Sequence, residues 1–202
     1  MIAIVTATAT GAFVLVAVIL GVIATVLPGN GISAPNTLCA TKVLHVAEPD
    51  ATGVRPACTP IRVTGTGHGA TAIAAASRRL GTPYSWRGGG LDGPTRGIGS
   101  GTNMVGFDCS GLTRYAWHQA GVALPRTAAE QWHALPHIRP GYQAPGDLVF
   151  FQGSGGGPNH PGHVGLVLDT DRMIEAPGTG LQVRVSRYTT RRDIIGYARP
   201  GI

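Results

Sequence analysis

Five short apolar runs, each closed by turn residues, crowd into the last third of this chain and dictate most of what it can fold into. Leu148-Val149-Phe150-Phe151 follows the turn Pro145-Gly146-Asp147, and Val164-Gly165-Leu166-Val167-Leu168 follows Gly162-His163. Arg172-Met173-Ile174-Glu175-Ala176 comes next, set off by Asp169-Thr170-Asp171. Gln182 to Ser186 alternates in period two, and Ile194 to Ala198 supplies a last strand. Runs of that length between turn signals read as strands. Helical patterns precede them. Ala70 to Leu80 puts Ile73, Ala76 and Leu80 on one face and ends at Gly81; Leu112, Tyr115, Ala116 and Ala120 recur at helical spacing until Gly121. Thr127 with Glu130 three residues on is a capping box opening a further helix. Helices first and a strand meander after is the α+β order, with a mostly antiparallel sheet.

The first third is built differently. Residues 3 to 27 carry neither charge nor proline. An uncharged apolar run of that length can span a bilayer, which takes about 20 residues. A cleaved signal peptide is the runner-up, but the basic n-region is missing, the first lysine being Lys42. The expectation is an uncleaved transmembrane anchor over residues 1–27. Residues 28–67 turn to Pro, Gly, Thr and Ala and read as a stalk, which as a flexible coil reaches on the order of 30–40 Å. The globular domain is expected over residues 68–202. Three cysteines are an odd number, so the economical reading pairs Cys39 with Cys58 in the stalk and leaves Cys109 alone. Such a disulfide contributes about 3 kcal/mol in the chain-entropy account.

Net charge is +6, carried almost wholly by arginine. The basic residues are scattered, with pairs only at Arg78-Arg79 and Arg191-Arg192 and no block interleaved with aromatics, so nucleic-acid binding is not indicated. A positive surface facing an anionic polymer outside the cell fits better. The glycine-dense stretch from Gly88 to Gly106 reads as a long loop, and Gly97-Ile98-Gly99 lacks the later glycine of a nucleotide-binding fingerprint. No cofactor is implied.

Cys109 falls in Gly106-Phe107-Asp108-Cys109-Ser110-Gly111-Leu112, where the glycine-rich loop gives way to a helix. In the first helical turn, unpaired backbone N–H groups and the positive dipole end favour an anion, and a thiolate is the attacking form of cysteine. The bland alternative is a small buried cysteine, a common fate of free thiols. A cysteine nucleophile needs a base, and the base needs an orienting partner. Of seven histidines, His45 lies in the stalk and His68 at the domain edge, while His118, His133 and His137 fall on or near helices. His160 and His163 remain, and His163 opens a strand. With Asp169-Thr170-Asp171 as a three-residue loop, Leu168 faces Arg172 and Gly165 faces Glu175. His163 is then diagonal to Glu175 on the same sheet face. A loop one residue shorter or longer puts them on opposite faces. The spacing permits Cys109, His163 and Glu175 as nucleophile, base and orienter without requiring it.

In order along the chain, Gly81-Thr82-Pro83-Tyr84-Ser85-Trp86, Phe107-Asp108-Cys109-Ser110-Gly111-Leu112, Leu124-Pro125-Arg126-Thr127, Pro145-Gly146-Asp147-Leu148-Val149-Phe150-Phe151 and His163-Val164-Gly165-Leu166 resemble the signatures of the NlpC/P60 cell-wall cysteine peptidases. The resemblance covers about residues 68 to 200. It implies a papain-like α+β fold with the nucleophile helix packed on an antiparallel sheet. It also implies hydrolysis of peptidoglycan stem peptides, most often between γ-D-glutamate and the diamino acid. By position it makes Cys109 the nucleophile, His163 the base and Glu175 the third polar residue, where members carry histidine or glutamate. It places Tyr84, Asp108 and Ser110 where members bind substrate or its oxyanion. Because peptidoglycan lies outside the membrane, it further implies the orientation of this single-pass chain: N-terminus in the cytoplasm and domain extracytoplasmic.

Three other readings stand beside this one. A zinc site using His160, His163 and Asp147 lacks a second Cys or His pair to complete a tetrahedral set, so no metal is expected. A catalytically silent wall-binding module has no need of Cys109, His163 and Glu175 together. An amidase on the glycan–peptide link, or an acyl transferase, would use the same Cys and His, and the triad does not choose among these reactions.

Overall fold

The computed structural model of the chain describes residues 67–201. The anchor, the stalk and the Cys39–Cys58 pair therefore lie outside the described residues. Among the described residues no helix is long and apolar enough to cross a membrane.

Among the described residues three α-helices come first: α1 His68–Ser77, α2 Cys109–Gln119 and α3 Ala128–Ala134. Two short strands, β1 Thr95–Arg96 and β2 Val105–Gly106, pair antiparallel between α1 and α2. Six more follow: β3 His137–Ile138, β4 Leu148–Phe151, β5 His163–Val167, β6 Arg172–Glu175, β7 Arg184–Arg187 and β8 Ile194–Ala198. They form one sheet in the order β3-β8-β4-β5-β6-β7, antiparallel throughout. The meander holds from β4 to β7. The last strand does not extend it: β8 returns to the other side and inserts between β3 and β4. His137, expected on or near a helix, lies on β3 just past the end of α3, its ring stacked on Trp132 of that helix at 3.7 Å.

Strand alternation splits the core in two. Leu148, Phe150, Val164, Leu166 and Ile174 pack with Ile73 of α1 and Leu112 and Ala116 of α2. Val149, Phe151, Val167 and Met173 join Tyr188 and Tyr197 in a smaller cluster on the opposite face. Leu112 is fully buried, and burying a leucine side chain is worth about 2 kcal/mol. Gly165 is part of this fit, since a Cβ there would strike the Met173 sulfur.

Two of the three described helix starts carry a side-chain cap. Thr127 and Glu130 make the reciprocal capping box that the sequence predicts. At α2 the cap is Asp108, whose Oδ1 accepts from the Gly111 backbone N–H at 2.7 Å. The helix stops at Gly121, which takes φ +81.

Candidate active site

Residues 88–106, expected as a long loop, form a strap held by polar contacts and carrying the short β1–β2 pair. The Ser85 hydroxyl donates to the Met104 carbonyl at 2.8 Å, the Ile98 N–H to the Trp86 carbonyl at 2.9 Å, and the Asp108 N–H to the Gly88 carbonyl at 3.1 Å. Glycine is what lets the strap lie on the start of α2. A Cβ on Gly111 would run into the Gly88 carbonyl, and one on Gly89 into Phe107 and Gly111. The glycine two residues after Cys109 thus lets the strap backbone sit on the first turn of α2, which fixes where the thiol points.

A buried ion pair ties the same turn from the other side. Arg126 grips Asp108 with two parallel bonds, Nη1 to Oδ1 and Nη2 to Oδ2, both 2.9 Å, and Nη2 also donates to the Gly88 carbonyl at 3.0 Å. One guanidinium therefore joins the segment before α3, the cap of α2 and the strap. Bidentate pairing of this kind fixes geometry as well as adding energy. Asp108 stands out in the sequence as a candidate site residue and Arg126 does not, although the Leu124-Pro125-Arg126-Thr127 signature contains it. Ser110 is drawn into the same group, its hydroxyl accepting from Arg126 Nη1 at 3.3 Å.

On the sheet side, β5 and β6 pair with Leu166 opposite Ile174 and Val167 opposite Met173, the register of a three-residue turn. His163 Nε2 donates to Glu175 Oε2 at 2.7 Å, with both side chains buried. That bond uses Nε2 and leaves Nδ1 as the ring nitrogen for the thiol of Cys109, which is itself buried and unpaired with any described cysteine. Glu175 is held further by Arg184 Nε, donating to Oε1 at 3.2 Å, while Arg191 lies 3.9 Å from Oε2 and stacks over Phe151.

Electrostatics follow from this packing. Burial favours neutral His163, but hydrogen bonds to Cys109 and Glu175 and their negative charge outweigh it and raise its pKa to about 9. Burial likewise opposes ionised Glu175, yet the bond and charge of His163, with Arg184 beyond, bring it down to about 2. At neutral pH the array therefore holds an imidazolium against the Glu175 carboxylate, with the Cys109 sulfur beside the ring. Burial first, then the charges of Cys109 and Asp108, push the Tyr84 phenol above its ordinary value against the pull of Arg126, so Tyr84 stays a hydrogen-bond donor.

Two adjoining pockets meet at Cys109 and Trp86. One, with a volume of about 370 Å³, is bordered by Tyr84, His163, Thr179 and Arg191. The other, about 280 Å³, is bordered by Arg87, Asp108, Ser110, Arg126 and His160. Together they make a groove with the thiol at its waist, the shape that an extended chain needs. Of the residues singled out in the sequence, Cys109, His163, Glu175 and Tyr84 converge here. Asp108 and Ser110 border the groove while their polar atoms are engaged with Arg126. Asp147 is elsewhere, paired with Arg199 at 2.7 Å, so His160, His163 and Asp147 do not form a metal site. Among the described residues no three His, Cys, Asp or Glu side chains converge as a metal set.

Known proteins resemble this chain in sequence and fold. The chain is 47% identical over 114 residues to peptidoglycan endopeptidase RipB of Mycobacterium tuberculosis, spanning 56% of this chain and 45% of that protein. It is 41% identical over 112 residues to peptidoglycan endopeptidase RipA of the same organism, covering 55% and 23% respectively. It thus spans less than half the length of these curated relatives. The solved structure of RipB superposes with a TM-score of 0.60 at 40% identity, over 65% of this chain and 64% of that one. RipD, also from M. tuberculosis and described as a non-catalytic NlpC/p60 domain adapted to peptidoglycan binding, superposes at 0.59 with 36% identity, over 67% and 98%. The NlpC/P60 family model matches residues 81–193, more than half of the chain, and the sheet, the capped cysteine helix and the groove all lie within or beside that span. The chain belongs to the NlpC/P60 family.

Proposed function

We propose that this protein is a peptidoglycan hydrolase that cleaves stem peptides through a Cys109 thioester, with the bond between γ-D-glutamate and the diamino acid as its target. The observation that carries the reading is His163 bonded to Glu175 and lining, with Cys109, the same open groove. A silent binding module gains nothing from a buried, charged imidazole beside a thiol. Relatives named peptidoglycan endopeptidases add the substrate class.

In this mechanism the Cys109 sulfur attacks the scissile carbonyl carbon. The carbonyl electrons move onto oxygen, where the backbone N–H groups at the start of α2 and the Tyr84 hydroxyl can donate. Collapse of the adduct breaks the C–N bond, and His163 Nδ1 passes its proton to the departing amine. Water then attacks the thioester, giving its proton back to His163 and releasing the carboxylic acid and the thiolate. Glu175 accepts from Nε2 throughout and keeps Nδ1 turned toward the sulfur. Residues 1–27 anchor the protein in the cell membrane, residues 28–67 with a Cys39–Cys58 disulfide form an extracytoplasmic stalk, and the domain works on the wall outside.

The test is digestion of purified sacculi by the wild-type protein and by Cys109→Ala, with mass spectrometry of the released muropeptides. The variant is expected to fold normally and to lose at least about 10³-fold in rate. Undiminished digestion by Cys109→Ala sinks the mechanism, and fragments lacking a new diamino-acid N-terminus sink the assignment of the bond. Cell fractionation checks the anchor, which fails if the protein is recovered wholly in the soluble fraction.

A further inference from the structure

The turn that enters the strap carries a residue its backbone does not favour. Gly88 N–H donates to the Ser85 carbonyl at 2.8 Å, closing a four-residue turn over Ser85-Trp86-Arg87-Gly88. Arg87 occupies the third position with φ +62 and is the one non-glycine residue with positive φ among the described residues. That position of a type II turn is the natural place for glycine, and a residue with a Cβ is strained there. The surroundings hold the turn from outside, through Ser85 on the Gly101 and Met104 carbonyls and through the Trp86 carbonyl on Ile98 N–H. Strain kept in place beside a catalytic groove points to use.

What Arg87 offers there is an uncommitted cation. It borders the pocket on the Ser110 side of Cys109 and is exposed. Among the described residues it donates no hydrogen bond and forms no ion pair within contact distance. The other arginine of that pocket, Arg126, has both terminal nitrogens engaged by Asp108 and Gly88. Glu130 feels the charge of Arg87, but its Oε2 is held by the Thr127 N–H and hydroxyl. Asp108 is likewise spent on Arg126. The pocket therefore presents a positive guanidinium that no carboxylate of the described residues holds in a hydrogen bond or ion pair, a site suited to a substrate carboxylate taken bidentately.

The geometry points to Arg87 as a specificity-determining residue that binds a free carboxylate of the stem peptide, so that the protein discriminates carboxylate-bearing from amidated peptidoglycan. This rests on the peptidase reading for the identity of the ligand, and not for the existence of the site. The two sources of such a carboxylate are the α-carboxyl of γ-D-glutamate and the side-chain-terminal carboxyl of the diamino acid.

The experiment uses the full chain and the tetrapeptide L-Ala-γ-D-Glu-diaminopimelate-D-Ala, with counterparts amidated at the glutamate, at the diaminopimelate, or at both. Binding is measured on the Cys109→Ala protein and kcat/KM on the wild type. The acid peptide is expected to bind about tenfold tighter than one of the amides, in keeping with a charge-assisted contact at a wet site. Which amide loses affinity identifies the carboxylate. Arg87→Gln brings the ratio to about one. Arg87→Gly does the same while raising the melting temperature by about 3 °C, because the strain is removed. A ratio near one in the parent protein, a ratio that survives Arg87→Gln, or binding of none of the peptides overturns the assignment. Tenfold selective binding without hydrolysis by the wild type overturns the peptidase reading and leaves the carboxylate site standing.

Discussion

The two halves of the site are held by different physics. The base half, His163 and Glu175, sits on adjacent strands whose backbone ladder sets the spacing. The nucleophile half, Cys109, sits at a helix start clamped between a glycine strap and a buried ion pair. A sheet register is a discrete quantity: a slip of one residue turns a side chain to the wrong face, so the core enforces the right answer. A clamp is continuous, and small losses at Gly111, Asp108 or Arg126 can shift the thiol by fractions of an ångström. The base half should therefore fail in its chemistry while staying folded, and the nucleophile half should fail in stability first.

The largest separation of the two is expected from Glu175→Gln. The ring keeps its place on β5 but loses the carboxylate that orients and charges it. Loss of kcat/KM of about 10³-fold is expected, within the range that follows loss of such an orienter, in a protein that still folds although its melting temperature falls with the lost His163–Glu175 pairing. The pH profile supplies the sign. His163 is raised from 6.5 to about 9, so the stability tied to its proton is complete below about 6.5 and lost as pH rises through about 9. Glu175 is lowered from 4.5 to about 2, so its share is complete above about 4.5 and lost as pH falls through about 2. Both are in full force between about 4.5 and 6.5, and the alkaline limb of kcat/KM belongs to His163. Glu175→Gln should move that limb, and the His163 NMR titration with it, toward lower pH. An unmoved limb would break the assignment of Glu175 as orienter.

Arg126→Ala probes the other half. It leaves the Asp108 carboxylate buried without its bidentate partner and the Gly88 carbonyl short of a donor. Stripping one partner from a buried pair costs about 3 kcal/mol or more, and Arg126 is partly open to solvent, so the low end is expected. Denaturant melts should show this loss, and activity should fall because the α2 cap loosens. Equal stability would mean that the strap glycines alone position Cys109.

The same contrast explains what could be read in advance. The parity of His163 and Glu175 is legible because strand period and turn length are local properties of residues 163–175. The Thr127–Glu130 box is legible for the same reason. Arg126 is not, since nothing local says that it will reach eighteen residues back to Asp108. The strap at 88–106 reads only as a long loop because its order comes from backbone contacts that glycine permits without announcing. Two-residue β3 is too short for a periodic signal, and the return of β8 to sit between β3 and β4 depends on which edge is free once the meander has formed. Arg87 hides differently: its side chain is ordinary, and only the φ of its backbone marks it out.

The smallest effect sharpens the comparison most. Arg184 Nε reaches Glu175 Oε1 at 3.2 Å, but its side chain is 51% exposed while that of Glu175 is 3% exposed. Exposed partners contribute weakly, because water screens them and long side chains lose entropy on being fixed. His163 is the closer partner and holds the larger share of the Glu175 charge. Arg184→Gln should accordingly lower kcat/KM at neutral pH by no more than about fivefold. It should raise the acid limb slightly, since Glu175 then takes up a proton at higher pH. The difference from wild type should fade at 1 M salt, where the screening length is about 3 Å. A loss as large as that of Glu175→Gln would mean that the carboxylate depends on its surface partner, and that the base half, like the nucleophile half, is a clamp.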